Sequence, residues 1–328
     1  MRTELQNRCR LLVENRNIIK SEFSFESAYV YPLGASILAA KNKTADVDAI
    51  SSCLSLLKDR TGIFSSFRGI SKLATVISLS VSPNPERKMD DMLFIYEELK
   101  DYFWSSYYLS IAASAIADMA QPSQYQDIIQ RTSMIYKRMK SAHPLLTSGE
   151  DSAFAALLAL SGLDNDHIEE EMELCYDILR PNFFSGNAVQ SLSHILALGE
   201  DPADQKCQKA MDIFEHLKAN GYKYGTGYEL STLGTLALLD IDMKTLAADI
   251  MDADDFLSNE KGFGNFLGIG SRQRLMYAGL MTMCDYIPDV QTMQTAALSG
   301  IVSLVIAQHA AIASSAAAAS AAASSSSN

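Results

Sequence analysis

The apolar positions of the chain fall into two alternating kinds of segment. One is a short run, apolar nearly all round and rich in small residues: LGASILAA, LATVISLS, IAASAIAD, FAALLALS, SLSHILAL, LGTLALLD and RLMYAGLM. A small residue inside each (Ala39, Ser78, Ala117, Ala159, Ala197, Ala237, Ala278) recurs at steps of roughly forty residues. A helix without a polar face must be buried on most sides, and small side chains let neighbouring backbones approach closely. The other kind is a charged helix with a single apolar stripe. Ile95-Tyr96-Glu97-Glu98-Leu99, Ile135-Tyr136-Lys137-Arg138-Met139, Cys175-Tyr176-Asp177-Ile178-Leu179 and Ile213-Phe214-Glu215-His216-Leu217 share one form. An aliphatic or Cys precedes an aromatic, and Leu or Met follows three later, so one face is buried and the rest is wet. Leu54 and Leu57 form a weaker earlier copy, Ile250 and Met251 a degraded later one. No stretch alternates with period two and β-branched enrichment, so no strand is expected.

The pattern predicts an all-α protein of about seven repeated helical hairpins of ~40 residues, with apolar helices inside and striped helices outside. Pro83, Pro122 and Pro202 fall between the two helices of a hairpin, where a turn is needed. The return loops each carry an aromatic or Leu (Phe64, Phe103, Leu145, Phe183, Tyr224, Phe263), expected to plug the space between units. A helix over 1–20 caps the first unit, and a final buried helix over 290–313 completes a single domain spanning 1–313. The Ala/Ser-rich tail 314–328 is low complexity and carries no expected chemistry. Such hairpins build either an open α-solenoid or a closed α/α toroid. The strongly apolar inner helices favour the toroid, because the concave helices of a solenoid are usually more polar.

Charge narrows the partners. Against 27 Lys+Arg stand 39 Asp+Glu, a formal charge of −12, and the basic residues are scattered, so nucleic acid is not expected. Five cysteines without CxxC spacing argue against a disulfide framework or zinc site and for a reducing compartment, the cytoplasm. The charged N-terminal stretch has no apolar core of a signal peptide. The uncharged run 296–313 is Ala-rich, holds Gln308 and His309, and lacks flanking basic or aromatic anchors, so it reads as a buried helix and no membrane partner is expected.

Chemical candidates are few. Asp252-Ala253-Asp254-Asp255 matches the DxDD string of one class of terpene cyclase, but without a cavity-lining aromatic repeat it reads as a solvated acidic helix end. Asp90 and Asp91 suit the positive end of a helix dipole. Gln190 and His194, four apart, share one face of an apolar helix and need buried partners. His143 reads as a loop contact. If the inner helices run parallel, their N-termini share one rim, which gathers Glu26, Arg68, Tyr107, Tyr108, Asn187 and Tyr228 among others. The polar pocket expected there involves Glu150, Asp151, Gln190, His194, Glu229, Arg272 and Arg274. Helix capping alone would place the same residue types at that rim. The Gly-rich 262–270 lacks a strand–helix GxGxxG setting. No cofactor or metal is expected.

Three strings, HPLLTSGEDSAFAALLAL (143–160), GNAVQSLSHILAL (186–198) and FLGIGSRQRLMYAGLM (266–281), resemble the bacterial family of unknown function DUF4003 over most of the chain. The resemblance implies a bacterial, cytoplasmic protein and supplies no reaction, ligand or site. Two readings of function stand: a non-enzymatic helical-repeat protein that binds a protein or peptide, or a toroid enzyme or small-molecule binder with its polar pocket at the inner-helix rim. A closed path of the inner helices favours the second, an open arc with an apolar groove the first.

Overall fold

The apolar runs and the striped segments both fold as helices. The structure, a computed structural model, describes residues 1–25, 28–69, 71–264, 269–287 and 302. Among these are fourteen α-helices and no strand. The outer-type helices are α1 (Thr3–Glu22), α3 (Val47–Arg60), α5 (Pro85–Leu99), α7 (Tyr125–Ala142), α9 (Asn165–Leu179), α11 (Ala203–Ala219) and α13 (Met243–Ser258). Between them lie the apolar helices α2 (Val30–Ala40), α4 (Lys72–Ser80), α6 (Tyr107–Met119), α8 (Asp151–Leu160), α10 (Gly186–Leu196), α12 (Leu230–Ala237) and α14 (Ser271–Tyr286). The final helix expected over 290–313, the tail 314–328, Glu26 and part of the Gly-rich stretch fall outside the described residues, save Val302, which is buried.

Burial follows the two sequence patterns. Every residue of α2 and α12 is buried, and every residue of α8 except Leu160. In α9 only Ile168, Met172, Cys175 and Leu179 are buried, a single stripe. Side-chain caps fix the helix starts: Asp46, Asn84, Ser106, Asp164, Ser185 and Asp242 each accept a backbone N–H of their first turn. Pro85 occupies the first turn of α5, where its missing N–H costs nothing.

Among the even-numbered helices α2 packs on α4, α6 on α8, α8 on α10, α10 on α12 and α12 on α14, while α4 and α6 meet chiefly through the Ser66–Arg68 turn between them. The odd-numbered helices pack side by side from α1 and α3 through to α11 and α13. The last helices also meet the first, α14 against α2 and α13 against α1. Small residues permit this. A Cβ on Gly34 would stand 2.8 Å from Leu73 Cδ2, and one on Gly234 2.9 Å from both Leu192 Cδ1 and Ile195 Cγ2, so a methyl at either contact would force its neighbours to shift. Where first and last helices meet, Arg2 reaches Asp249 at 2.9 Å and Asp285 at 2.8 Å, and its guanidinium lies 4.0 Å from the Tyr286 ring centroid. α1 packs on α3 as well as on α13.

The outer aromatics meet a ring from the loop before them. Phe67 packs edge-on against Tyr96 at 5.1 Å, Phe103 against Tyr136 at 5.0 Å, and Phe183 against Phe214 at 5.2 Å. His143 takes this place against Tyr176, at 4.3 Å. Tyr96 and Phe214 are buried; Tyr136 and Tyr176 are half-buried. Two expected plugs are corrected. Phe64 and Leu145 are almost wholly exposed, and Phe67 and His143 fill their places. The cause at the first position is the 3₁₀ turn Ser66–Arg68, which swings Phe67 inward.

Candidate functional site

The start of α8 follows a loop that is tied to its surroundings. Lys140 Nζ donates to the carbonyls of Pro144 (2.6 Å) and Thr147 (2.7 Å), holding the loop against the end of α7. The Thr147 hydroxyl donates to Met139 O at 3.0 Å and accepts from Gln190 Nε2 at 2.9 Å. Gln190 is therefore a bridge from α10 to the α7–α8 loop. The Ser148 N–H donates to Asp151 Oδ2 at 2.7 Å, while its hydroxyl donates to Glu150 Oε2. Gly149 sits beneath the ring of Tyr108, where an added Cβ would meet Cδ2 at 3.4 Å.

Two adjacent carboxyl groups result, both buried. Glu150 Oε1 accepts from the hydroxyl of Tyr228, in the turn before α12, at 3.3 Å. Asp151 Oδ1 lies 3.4 Å from His194 Nδ1 of α10. His194 is 2% exposed, its ring rests on Phe154 with centroids 5.6 Å apart, and its Nδ1 makes no hydrogen bond. Among the described residues no lysine or arginine pairs with Glu150 or Asp151.

Burial governs the titration. It pushes the Asp151 carboxyl up to about 7; the Glu150 charge adds to this, and the Ser148 N–H and the Lys140 charge oppose it. Burial drives His194 down to about 3, with the positive charge of His143 as a lesser cause. Burial and then the Glu150 charge raise the phenols of Tyr108 and Tyr228. At neutral pH the site thus holds an unprotonated imidazole, neutral phenols and a carboxyl near its midpoint.

Of the seven expected pocket residues, Glu150, Asp151 and His194 come together, with Gln190 attached through Thr147. The other three do not join them. Glu229 folds back on its own turn, accepting from the Gly227 N–H at 3.0 Å. Arg272 is exposed. Arg274 is consumed in a buried two-pronged pair with Asp254, at 2.9 and 2.8 Å, and also donates to Phe263 O. That pair corrects the reading of the DxDD string as a solvated helix end, since Asp254 is only 3% exposed. Asp255 accepts from the Tyr222 hydroxyl at 2.8 Å, and Asp252 pairs with the amino group of Met1. His143, a loop contact as expected, has Nε2 3.0 Å from Glu173. Thr147 and Ser148 were not singled out by sequence; their position just before a Glu-Asp pair that opens an apolar helix is the signal that could have found them.

A depression of about 490 Å³ at the N-terminal ends of α11 and α13, lined by Asp204, Gln205, Gln208, Lys209, Asp212 and Met243, is remote from this chemistry. It is an open surface feature, and the converging buried groups around Asp151 carry more weight. No group of three or more His, Cys, Asp or Glu among the described residues is arranged to hold a metal ion.

Comparison with known proteins agrees with the motif resemblance. The sequence model of a family described as "Protein of unknown function (DUF4003)" matches residues 15–310. The chain is similar to the Bacillus subtilis (strain 168) "Uncharacterized protein YeaA", 26% identical over 278 residues that cover 78% of this chain and 81% of the relative. No solved structure matches.

Proposed function

The chain belongs to the DUF4003 family, and from that premise we propose that it is a closed α/α toroid of seven helical hairpins that binds a small cationic ligand at the N-terminal end of its inner helices. Support for closure comes from the packing of α14 on α2 and of α13 on α1, with Arg2 bridging Asp249 and Asp285 where they meet. Support for the repeat comes from the ring contacts made by Tyr96, Tyr136, Tyr176 and Phe214. On this reading residues 1–313 form a single domain. The five cysteines, all free and buried, favour a reducing compartment such as the cytoplasm.

One observation carries the choice of ligand: Glu150 and Asp151 are buried side by side with no Lys or Arg in salt-bridge reach among the described residues, and burial holds Asp151 near 7 despite the more distant charge of Lys140. A protonated amine seated between them would supply the missing charge, and the hydroxyls of Tyr108 and Tyr228 would flank it. Such a ligand favours ionised Asp151, so it releases a proton on binding, and its affinity rises as pH passes upward through about 7. Glu150, Asp151, Gln190 and His194 are the residues of this site; Glu229, Arg272 and Arg274 are left out of it. The competing reading, a scaffold that grips a peptide in an open groove, has less support because α14 lies against α2 and leaves no free inner edge there.

The test is isothermal calorimetry of simple amines (ethanolamine, putrescine, choline) in two buffers of different ionisation enthalpy at pH 6.5 and 8. Binding with proton release, stronger at the higher pH and lost in Asp151→Asn, is the expected result. Binding that is independent of pH and of Asp151 would overturn the assignment.

A further inference from the structure

Four large apolar side chains stand almost entirely in water: Phe64 (95% exposed), Trp104 (95%), Leu145 (98%) and Phe184 (98%). Single exposed apolar residues are ordinary. These four are not scattered. They occupy successive loops, α3–α4, α5–α6, α7–α8 and α9–α10, each running from an outer-type helix to the next apolar helix.

The loops adjoin one another. The Tyr96 hydroxyl is bonded to Ser66 of the first loop at 2.8 Å and to Ser105 of the second at 2.6 Å. Phe103 of the second loop packs on Tyr136 of α7, the helix that leads into the third. A Cβ on Gly186, where the fourth loop ends, would stand 3.3 Å from Leu146 of the third. The tips therefore form a row along one edge.

Three of the four loops are also pinned from beneath by a basic side chain. Arg68 donates to Thr61 O at 2.6 Å, Lys140 to Pro144 O and Thr147 O, and Arg180 to Phe183 O at 2.8 Å. The exposure is thus held by the fold and does not come from slack in the loops.

Lys58, Arg60, Lys100, Lys140 and Arg180 are exposed within a few residues before the tips, with Asp59 and Asp101 on the same stretches. Arg60 is paired with Asp90 and Lys100 with Glu97, which leaves Lys58, Lys140 and Arg180 as the bases beside the tips that pair with no acid among the described residues. The acids that make the chain −12 overall sit largely at the opposite ends of the same helices, as Asp46 and Asp48, Asp164 and Asp166 do. A helix length separates them from the tips, more than a Debye length of roughly 8–10 Å.

We infer that this edge docks on the surface of an anionic lipid bilayer, with Phe64, Trp104, Leu145 and Phe184 as separate wedges in the interface and the basic residues against the headgroups. A protein partner would need a contiguous, close-packed apolar patch. Here the tips stand about one helix spacing apart, roughly 8–10 Å, with Ser65, Ser66, Ser105, Ser106 and Ser185 between them. A fluid interface accepts isolated aromatic and aliphatic wedges and rewards nearby Lys and Arg. No helix among the described residues is long and apolar enough to cross a membrane, so the association is with the surface. Loop tips need no spanning segment to associate with a bilayer surface. The docking edge stands independently of the amine site.

Trp104 is the chain's single tryptophan, so its emission reports directly on a tip. The full chain is titrated with vesicles of phosphatidylcholine alone and of phosphatidylcholine with phosphatidylglycerol. The expected result is a blue shift and protection from acrylamide on the anionic vesicles, weakened by salt, with little change on the neutral ones. The triple variant Phe64→Ser, Leu145→Ser, Phe184→Ser should melt at the wild-type temperature, because those side chains touch little, yet partition at least about a hundredfold more weakly. Unchanged Trp104 emission on anionic vesicles would overturn the inference, as would full binding by the triple variant. A blue shift that grows with protein concentration in the absence of lipid would also overturn it and assign the edge to a second copy of the chain.

Discussion

Asp151 and His194 titrate in opposite senses, and removing either one should expose the other in the pH dependence of stability. The Asp151 carboxyl moves from an ordinary 3.8 to about 7 on folding, so between those values the folded chain holds a proton that the unfolded chain has lost. Its contribution is present at low pH and disappears as pH rises through about 7. His194 moves from 6.5 to about 3, so between those values the unfolded chain holds the extra proton. Its contribution is present above 6.5 and is lost as pH falls toward 3. The two slopes cancel in the wild type from 3.8 to 6.5. Each group alone is worth about 1.4 kcal/mol per pH unit, or about 3–4 kcal/mol across that window as an order of magnitude. In Asp151→Asn the histidine contribution remains, and stability should climb with pH by that amount relative to wild type. In His194→Gln the carboxyl contribution remains, and stability should fall with pH instead. The causes of the two shifts are burial and other neighbours, so each should survive removal of the partner. Urea denaturation at closely spaced pH values between 4 and 8 reads the slopes. Parallel curves for wild type and both variants would refute the reasoning.

Further outcomes follow from the packing. Gly234→Ala forces a methyl into Leu192 and Ile195 at 2.9 Å and should cost about 1–3 kcal/mol in chemical denaturation, whereas Ala at the open Gly270 should cost far less. Arg274→Met strands buried Asp254 and should cost about 3–5 kcal/mol, with much of the loss recovered when Asp254→Asn is added. Tyr96→Phe removes the hydroxyl shared by Ser66 and Ser105 and should cost about 1–2 kcal/mol, a loss that thermal melts would detect.

The helices were legible because their signal is local. The apolar run of α8 or α12 and the stripe of α9 are decided by residues within a few turns, and caps such as Asp164 and Ser185 sit beside the turns they close. The site was legible only as a set of residue types at helix starts. Whether an acid stays available depends on contacts that sequence spacing does not encode. Arg274 and Asp254 are twenty residues apart and consume each other, while Glu229 turns back to its own loop. Glu150 and Asp151 also accept from Ser148 of their own loop but pair with no Lys or Arg among the described residues, and the groups facing them, Tyr228 and His194, come from the turn before α12 and from α10. The loop aromatics show the same limit on a smaller scale. Phe103 packs inward and its neighbour Trp104 points to water, a choice set by Tyr136 across the gap and not by composition.

The cation-binding role proposed for Glu150 and Asp151 rests on their burial side by side without a Lys or Arg partner among the described residues. Its most direct test is the melting temperature of the full chain with a panel of amines, read for wild type, Glu150→Gln and Asp151→Asn side by side. At least one amine should raise the melting temperature of the wild type at pH 8 and of neither variant, since a ligand stabilises only the state that binds it. If no amine does so, or if the variants respond as the wild type does, the buried acids are structural and the assignment is wrong.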